Sequence, residues 1–400
     1  MIKGIAAVFA AVLFFFVALL VTAQTTGNAL LAYAVATLVA VGCATGLKRR
    51  RIAAARLAVS LSLVAGLSWA WFGASATYTP LPDSPAVRYW DLPTGSRIAY
   101  VRTADTVTHS EPVVLVHGGP GAPTSSRNEF AERLADAGFA VYNYQQVGAG
   151  QSSRLDPSEY TVARHVADLE AIRLELGVPK MVLIGSSWGG QLLAHYLAAH
   201  PDNVAKAVVA SPGAMSSNSF GDGSLTPNGN ADQRRKLAAH TRFAATFFLG
   251  QVGGSRAART LISDRTADGL YQQFVRSLDL SAGCRNARTI ERPVDATAGY
   301  SLWVNIATVS SASKAADPRP ALRRNQTPVL VLRAECDYLR WEITREYRDT
   351  FPRATMLTID GAGHSVLADE PAETAAATVA FLTGGALPAA PYTAAEQPWH

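Results

Sequence analysis

The sequence predicts an α/β fold that carries a helical insertion and is preceded by a short anchor of three transmembrane helices. Three observations lead there. From Val87 onward, short runs rich in Val, Leu and Ile alternate with helical patterns, the rhythm of a mainly parallel sheet covered on both faces. That rhythm breaks between about Met215 and Asn325 and then resumes. Three uncharged runs crowd into the chain before Ala74.

The uncharged runs are Ile5–Ala23, Ala29–Leu47 and Leu57–Gly73, the last ending in Trp69, Trp71 and Phe72. Each approaches the roughly 20 residues that cross ~30 Å of hydrocarbon. The terminal tryptophans suit a membrane interface. A cleaved signal peptide is the alternative for the first run, but no clear small-x-small site accompanies it. The Lys48–Arg56 cluster predicts a cytoplasmic loop. The N-terminus with Lys3 is then inside, everything after Gly73 is extracytoplasmic, and membrane lipid is a partner through the N-terminal helices. Residues 1–76 are expected to form this anchor, and residues 77–86, rich in proline, a linker.

Composition narrows the rest. An apolar share of 48% leaves ample surface to bury, which excludes disorder. Three cysteines in 400 residues exclude a disulfide scaffold, and no CxxC or Cys/His cluster points to structural zinc. The net charge of +5 belongs to the N-terminal segment. No acid precedes Asp83, whereas six bases do; setting those six aside from 36 Lys and Arg leaves 30 against 31 acids. Nothing supports nucleic-acid binding by the remainder.

The elements follow in order. Ser96–Arg102 and Pro112–His117 read as strands, Glu129–Ala137 as a helix, Ala140–Gln145 as a strand and Val162–Leu176 as a helix. Lys180–Gly185, Gly189–His200 and Val204–Ser211 read as strand, helix and strand. After the break, which includes a helical stretch at Asp232–Phe248, come the strand Thr327–Arg333, the helix Trp341–Thr350, the strand Ala354–Ile359 and the helix Pro371–Leu382. Residues 87–214 and 326–385 are thus expected as the core, 215–325 as a helical cap over the C-terminal ends of the strands, and 386–400 as a tail.

Gly185-Ser186-Ser187-Trp188-Gly189 matches G-x-S-x-G. A β run leads into it and a helical pattern follows, the strand–turn–helix setting of an exposed nucleophile. The flanking glycines suit a tight turn and close helix packing. His117-Gly118-Gly119-Pro120-Gly121 follows the run Val113–Val116. The N–H groups of Gly119 and Trp188 could together hold an oxyanion. Asp337 follows a late strand, and His364 lies in Gly361-Ala362-Gly363-His364 after the next one. The order Ser, Asp, His fits a triad in which Ser187 attacks, His364 takes its proton and Asp337 orients the imidazole. Glu335, two residues upstream, is the rival acid; His117, His195 and His200 are the rival bases. The chemistry requires no metal or organic cofactor.

Together these motifs resemble the proline iminopeptidases, α/β-hydrolase serine peptidases of family S33, over about residues 87–383. The resemblance implies an α/β-hydrolase fold with an inserted helical cap. It further implies a triad of Ser187, Asp337 and His364, an oxyanion hole at Gly119 and Trp188, and a peptide substrate. The sequence departs from the family at Gln145, where D-Q-x-G-x-G-x-S would have Asp. These aminopeptidases hold the substrate's free amine with acidic residues, largely from the cap. The cap here has Glu291 as its only glutamate, which leaves Glu335 as the candidate amine partner. Cys284 and Cys336 could pair across cap and core. The expected activity is a membrane-anchored aminopeptidase. An esterase or amidase on a small acyl substrate, or a non-enzymatic binding domain, are the alternatives.

Overall fold

The computed structural model describes residues 2–45, 61–62, 64–66, 68–104, 106–124, 128–216, 231–278 and 297–399. Two N-terminal helices come first: α1 (Ile2–Thr26) and α2 (Ala29–Thr45). The sheet then opens with β1 (Val87–Asp91), β2 (Arg97–Thr103) and β3 (Val113–Val116). Next are α3 (Glu129–Asp136), β4 (Val141–Tyr144), α4 (Val162–Glu175), β5 (Met181–Ser186), α5 (Trp188–Ala199) and β6 (Val204–Ala210). The inserted block carries α6 (Ala231–Ala239), α7 (Thr241–Val252), α8 (Ser255–Leu261), α9 (Asp264–Ser277) and α10 (Leu302–Ala312). The chain closes with α11 (Arg319–Leu322), β7 (Val329–Cys336), α12 (Trp341–Thr350), β8 (Ala354–Gly363), α13 (Val366–Asp369) and α14 (Pro371–Thr383).

The chain forms two compact units. One joins residues 1–78 and 237–274 with the short segment 156–158; the other holds the remainder. The second unit contains an eight-stranded mixed sheet of order β1-β2-β4-β3-β5-β6-β7-β8. The first two strands and the β2/β4 pair run antiparallel, and all later pairs are parallel. Side chains alternate across the sheet as strand geometry demands. Val114, Val116, Leu183, Val209 and Val331 pack on one face. Val113, Leu115, Ile184, Val208 and Leu332 pack on the other. Both layers are dry, so the central strands read as continuous apolar runs. β1 is an edge strand of five residues that sequence periodicity passes over; it is fixed by the stacking of Trp90 on Tyr100 at 3.7 Å. The helical stretch expected at 232–248 is two helices, broken at His240 (φ −104°, ψ 62°).

The anchor is the main correction. Among the described residues no helix is long and apolar enough to cross a membrane. α2 runs 17 residues, about 26 Å at the α-helical rise and short of the ~30 Å hydrocarbon layer. The third run is described only in pieces, and the Lys48–Arg56 loop lies outside the described residues. Within the first unit, Ala11, Phe15, Leu19 and Ala23 of α1 and Ala32, Ala36 and Ala40 of α2 are buried at four-residue spacing. That spacing puts each set on one helix face. Gln24 of α1 accepts a hydrogen bond from the Ala257 N–H of α8 at 2.9 Å. The outer faces leave Leu13, Leu30 and Leu38 exposed. The three transmembrane helices, the lipid partner and the extracytoplasmic, multi-pass localisation that rested on them are therefore withdrawn.

The feature that positions the site is the approach of α5 to the sheet. A Cβ at Gly189 would fall on the Val116 carbonyl, and one at Gly190 would lie 2.7 Å from Pro212 Cβ. One at Gly185 would lie 2.6 Å from the backbone of Gly189. All three positions admit only glycine unless backbone moves. Gly189→Ala is therefore expected to cost roughly 3 kcal/mol or more, since backbone must shift to relieve the overlap. Urea unfolding should show it, and a variant as stable as wild type would refute the packing argument.

Candidate active site

Ser187 sits between β5 and α5 with φ 55° and ψ −121°. A non-glycine residue in such a conformation costs of order 1–3 kcal/mol and persists only where its surroundings fix it. Here they do. The Ser187 N–H donates to Ala210 O (3.1 Å), and its carbonyl accepts from Gly190 N (2.9 Å) and Gly213 N (2.8 Å). The hydroxyl makes no capping bond to α5.

The glycine-rich turn after β3 lies against this serine. A Cβ at Gly118 would be 3.0 Å from Ser187 Cβ and 3.6 Å from its Oγ. Gly119 has φ 112°, and a Cβ there would be 2.6 Å from Ala122 N. Among the described residues neither the Gly119 N–H nor the Trp188 N–H has an acceptor. The Trp188 amide opens α5 and stands at its positive end. Part of the inserted block buttresses the turn. Asn305 Nδ2 of α10 donates to Pro120 O (3.1 Å), and the Ser301 N–H donates to Gly121 O (2.8 Å).

The structure brings Asp337 and His364 together. His364 Nδ1 lies 2.7 Å from Asp337 Oδ1, and that oxygen also accepts from the Leu339 N–H at 3.0 Å. The Tyr338 ring stands 4.5 Å from the imidazole. Burial pushes the Asp337 carboxyl up, but His364, Arg333 and the Leu339 amide outweigh it and hold the group below its ordinary value. No hydrogen bond joins Ser187 Oγ to His364 among the described residues; such bonds are often long without substrate.

Two residues that sequence reading passed over hold these parts. Arg333, buried in β7, donates through Nη1 to Asp337 Oδ2 (3.1 Å) and Thr344 Oγ1 (3.2 Å), and through Nη2 to Leu339 O (3.0 Å). Its signal was a basic residue following the apolar run Val329–Leu332. Gln146 joins three elements. Its N–H donates to His117 Nε2 (2.9 Å), its Nε2 donates to His117 O (2.7 Å), and its Oε1 accepts from Trp188 Nε1 (2.9 Å). It stands beside Gln145, whose Oε1 accepts from the Gln151 N–H at 2.5 Å.

His117 is part of this scaffold. Accepting at Nε2, it carries its proton on Nδ1, 2.9 Å from Gly118 O. Burial lowers its pKa to about 4. His165, buried against Thr308 Oγ1 at 3.1 Å, is lowered to about 3, first by burial and then by His117 and Arg164. Glu335 is half-buried, and its Oε2 accepts from the Gly361 N–H at 2.8 Å where the β7/β8 register shifts. His195 lies on α5 with a buried Nε2 that has no partner. Cys336 is disulfide-bonded; Cys284 and Glu291 lie outside the described residues. Among the described residues no cluster of His, Cys, Asp and Glu could hold a metal ion.

Comparison with known proteins gives the family of the fold. A family model described as "alpha/beta hydrolase fold" matches residues 111–371. A proline iminopeptidase from Lactobacillus helveticus (strain DPC 4571) is 36% identical over 115 residues, 28% of this chain and 39% of the relative. One from Xylella fastidiosa (strain 9a5c) is 34% identical over 103 residues, 25% and 32%. The chain thus spans well under half the length of these relatives. Among solved structures, a proline iminopeptidase from Mycobacterium smegmatis aligns with TM-score 0.50 and 20% identity over 74% of this chain and 98% of that one. An esterase from Exiguobacterium antarcticum aligns with TM-score 0.55 and 16% identity over 74% and 98%. At these identities the structural likenesses speak to fold alone.

Gln146→Leu should leave the Trp188 indole N–H and the His117 carbonyl without the partners that the Gln146 side chain supplies, and cost about 2–4 kcal/mol in urea unfolding, the range for stranding two buried polar groups. Unchanged stability would refute the role of the Gln146 side chain. The histidines set a pH dependence. Their folded pKa values lie below the unfolded value near 6.5, so the unfolded chain takes up protons first as pH falls. Stability is fully present above about pH 6.5 and is lost toward their folded values. Unfolding free energy measured at pH 7 and pH 5.5, above the carboxylate range, should drop. A flat profile would show that neither ring is buried neutral.

Proposed function

The chain belongs to the alpha/beta hydrolase family, and from that premise we propose that it is a serine hydrolase whose nucleophile is Ser187. In this reading His364 Nε2 takes the hydroxyl proton as Ser187 Oγ bonds to a carbonyl carbon. Asp337 orients the imidazole and stabilises the imidazolium. The Gly119 and Trp188 amides receive the developing oxyanion. The proton then passes to the leaving group, and water attacks the acyl-enzyme by the same route. The observation that carries the reading is the Ser187 backbone, held at φ 55° beside two amides without acceptors. The His364–Asp337 pair at 2.7 Å adds to it.

For the substrate, the reading is an aminopeptidase of proline iminopeptidase type that cleaves N-terminal residues from peptides. Support comes from HGGPG and S-W-G-G in this sequence and from the names of its relatives. A bound ammonium group needs a carboxylate, because an unpaired buried charge costs several kcal/mol. Glu335 is the nominee, with Oε1 left for the amine. A second reading, an esterase or amidase, draws support from the engagement of Glu335 by Gly361, which suits a structural carboxylate.

A fluorophosphonate probe should label the wild-type chain and not Ser187→Ala, with folding of both checked by circular dichroism; labelling that persists in the variant refutes the nucleophile. Free-amine aminoacyl-amides should be hydrolysed faster than their N-acylated forms. Glu335→Gln should weaken use of the free amine by about 2–3 kcal/mol in kcat/KM, the scale of truncating a buried charge pair, while sparing small neutral esters. Equal losses on both would assign Glu335 to structure, and a wild-type enzyme indifferent to the amine would favour the esterase reading.

A further inference from the structure

A buried arginine on a triad carboxylate is a charge arrangement that the mechanism above does not use. The Arg333 side chain is 2% exposed and that of Asp337 is fully buried. The guanidinium spends one arm on Asp337 Oδ2, shared with Thr344, and the other on the Leu339 carbonyl. Its Nε is buried without a partner, and the group faces the Trp341 ring at 6.0 Å. A buried arginine with an unsatisfied nitrogen is costly. Packing alone would be better served by an apolar residue at this buried position.

We propose that Arg333 is a positioning residue that fixes the rotation of Asp337 and, by neutralising its charge, keeps the His364 imidazole a working base at more acidic pH. The inference rests on the triad reading. With Asp337 Oδ2 on Arg333 and Oδ1 shared by His364 and Leu339, the carboxylate cannot turn without breaking a charge-assisted bond. The charge argument follows from proton bookkeeping. Arg333 and Asp337 together carry no net charge. When His364 accepts the Ser187 proton, or one from solvent, the buried group becomes a net cation. A triad without the arginine would instead become neutral. The guanidinium therefore opposes solvent protonation of the resting imidazole, so less of the enzyme is inactivated as pH falls.

Other charged and titratable groups face this cluster. Glu342 of α12 acts on Arg333 through space but pairs with Arg340 at 3.6 Å and is partly exposed. Glu335 Oε2 accepts from the Gly361 N–H, and Asp369 Oδ2 accepts from the Gly363 N–H at 2.9 Å beside His364. Tyr338 meets the imidazole ring face. Arg333 bonds directly to Asp337.

The test uses the full chain and the rate of Ser187 labelling by a fluorophosphonate from pH 5 to 9, which needs no knowledge of the substrate. Arg333→Met should move the acid limb of the rate profile up by about one pH unit, the scale of removing a neighbouring charge. It should also lower the plateau rate roughly tenfold or more, through loss of orientation. Arg333→Lys keeps the cation but not the fork; its acid limb should stay near wild type while its plateau falls. A merely structural role would leave the limb in place in every folded variant, and that result overturns the proposal. If Arg333→Met fails to fold, Arg333→Lys decides: a displaced limb or an unchanged plateau overturns the inference. A wild-type chain that no probe labels at any pH would remove the triad reading and this inference with it, whereas normal labelling with an unmoved limb removes the inference alone.

Discussion

The site depends on how closely α5 approaches β3. Gly189 packs on the Val116 carbonyl with no room for a Cβ, and that contact sets where the helix can begin. With α5 seated there, the chain must leave β5 through one strained residue, Ser187. The first amide of the helix, that of Trp188, then stands next to the serine. The same proximity lays the Gly118–Gly119 turn along Ser187. A wider helix–sheet spacing would relax the strain, and it would also part the two amides from the hydroxyl.

The charge pattern around this contact is one of fixed protonation states. His117 and His165 are buried neutral, and each spends a ring nitrogen on a defined partner, the Gln146 amide and the Thr308 hydroxyl. They serve as hydrogen-bonding wedges between layers, not as acids or bases. Asp337 is the opposite case, a carboxylate kept ionised in a dry setting by three donors. The low local dielectric makes every such bond consequential, because a group deprived of its partner there has no water to replace it. Against that rule the Arg333 Nε and the His195 Nε2 are buried without partners.

Much of the core was legible in the sequence. Strands and helices fall within a few residues of where their periodicity puts them, because dry parallel strands are forced into continuous Val, Leu and Ile runs. The strand–turn–helix around Ser187 and the glycine turn were legible for a related reason: both need glycine at fixed points. Arg333 and Gln146 were not, since their roles depend on partners 4 to 42 residues away that no local pattern announces. The N-terminal runs were misread because an uncharged run near span length is ambiguous. Helices that press alanine-rich faces together, as at Ala11, Ala32, Ala36 and Ala40, have the same composition as membrane spans. The edge strand β1 is too short for its alternation to register.

The docking of α10 on the glycine turn bears on how such a fold can be remodelled. Caps of this kind invite transplantation, as if a specificity module could be lifted from one scaffold and set on another. Here the last helix of the inserted block is not separable in that sense. Asn305 and Ser301 hold the Pro120–Gly121 backbone, and Thr308 holds the core histidine of α4. The useful suture for a chimera therefore lies before Thr297, not at the end of the insertion, and libraries aimed at new selectivity should treat residues 297–312 as scaffold.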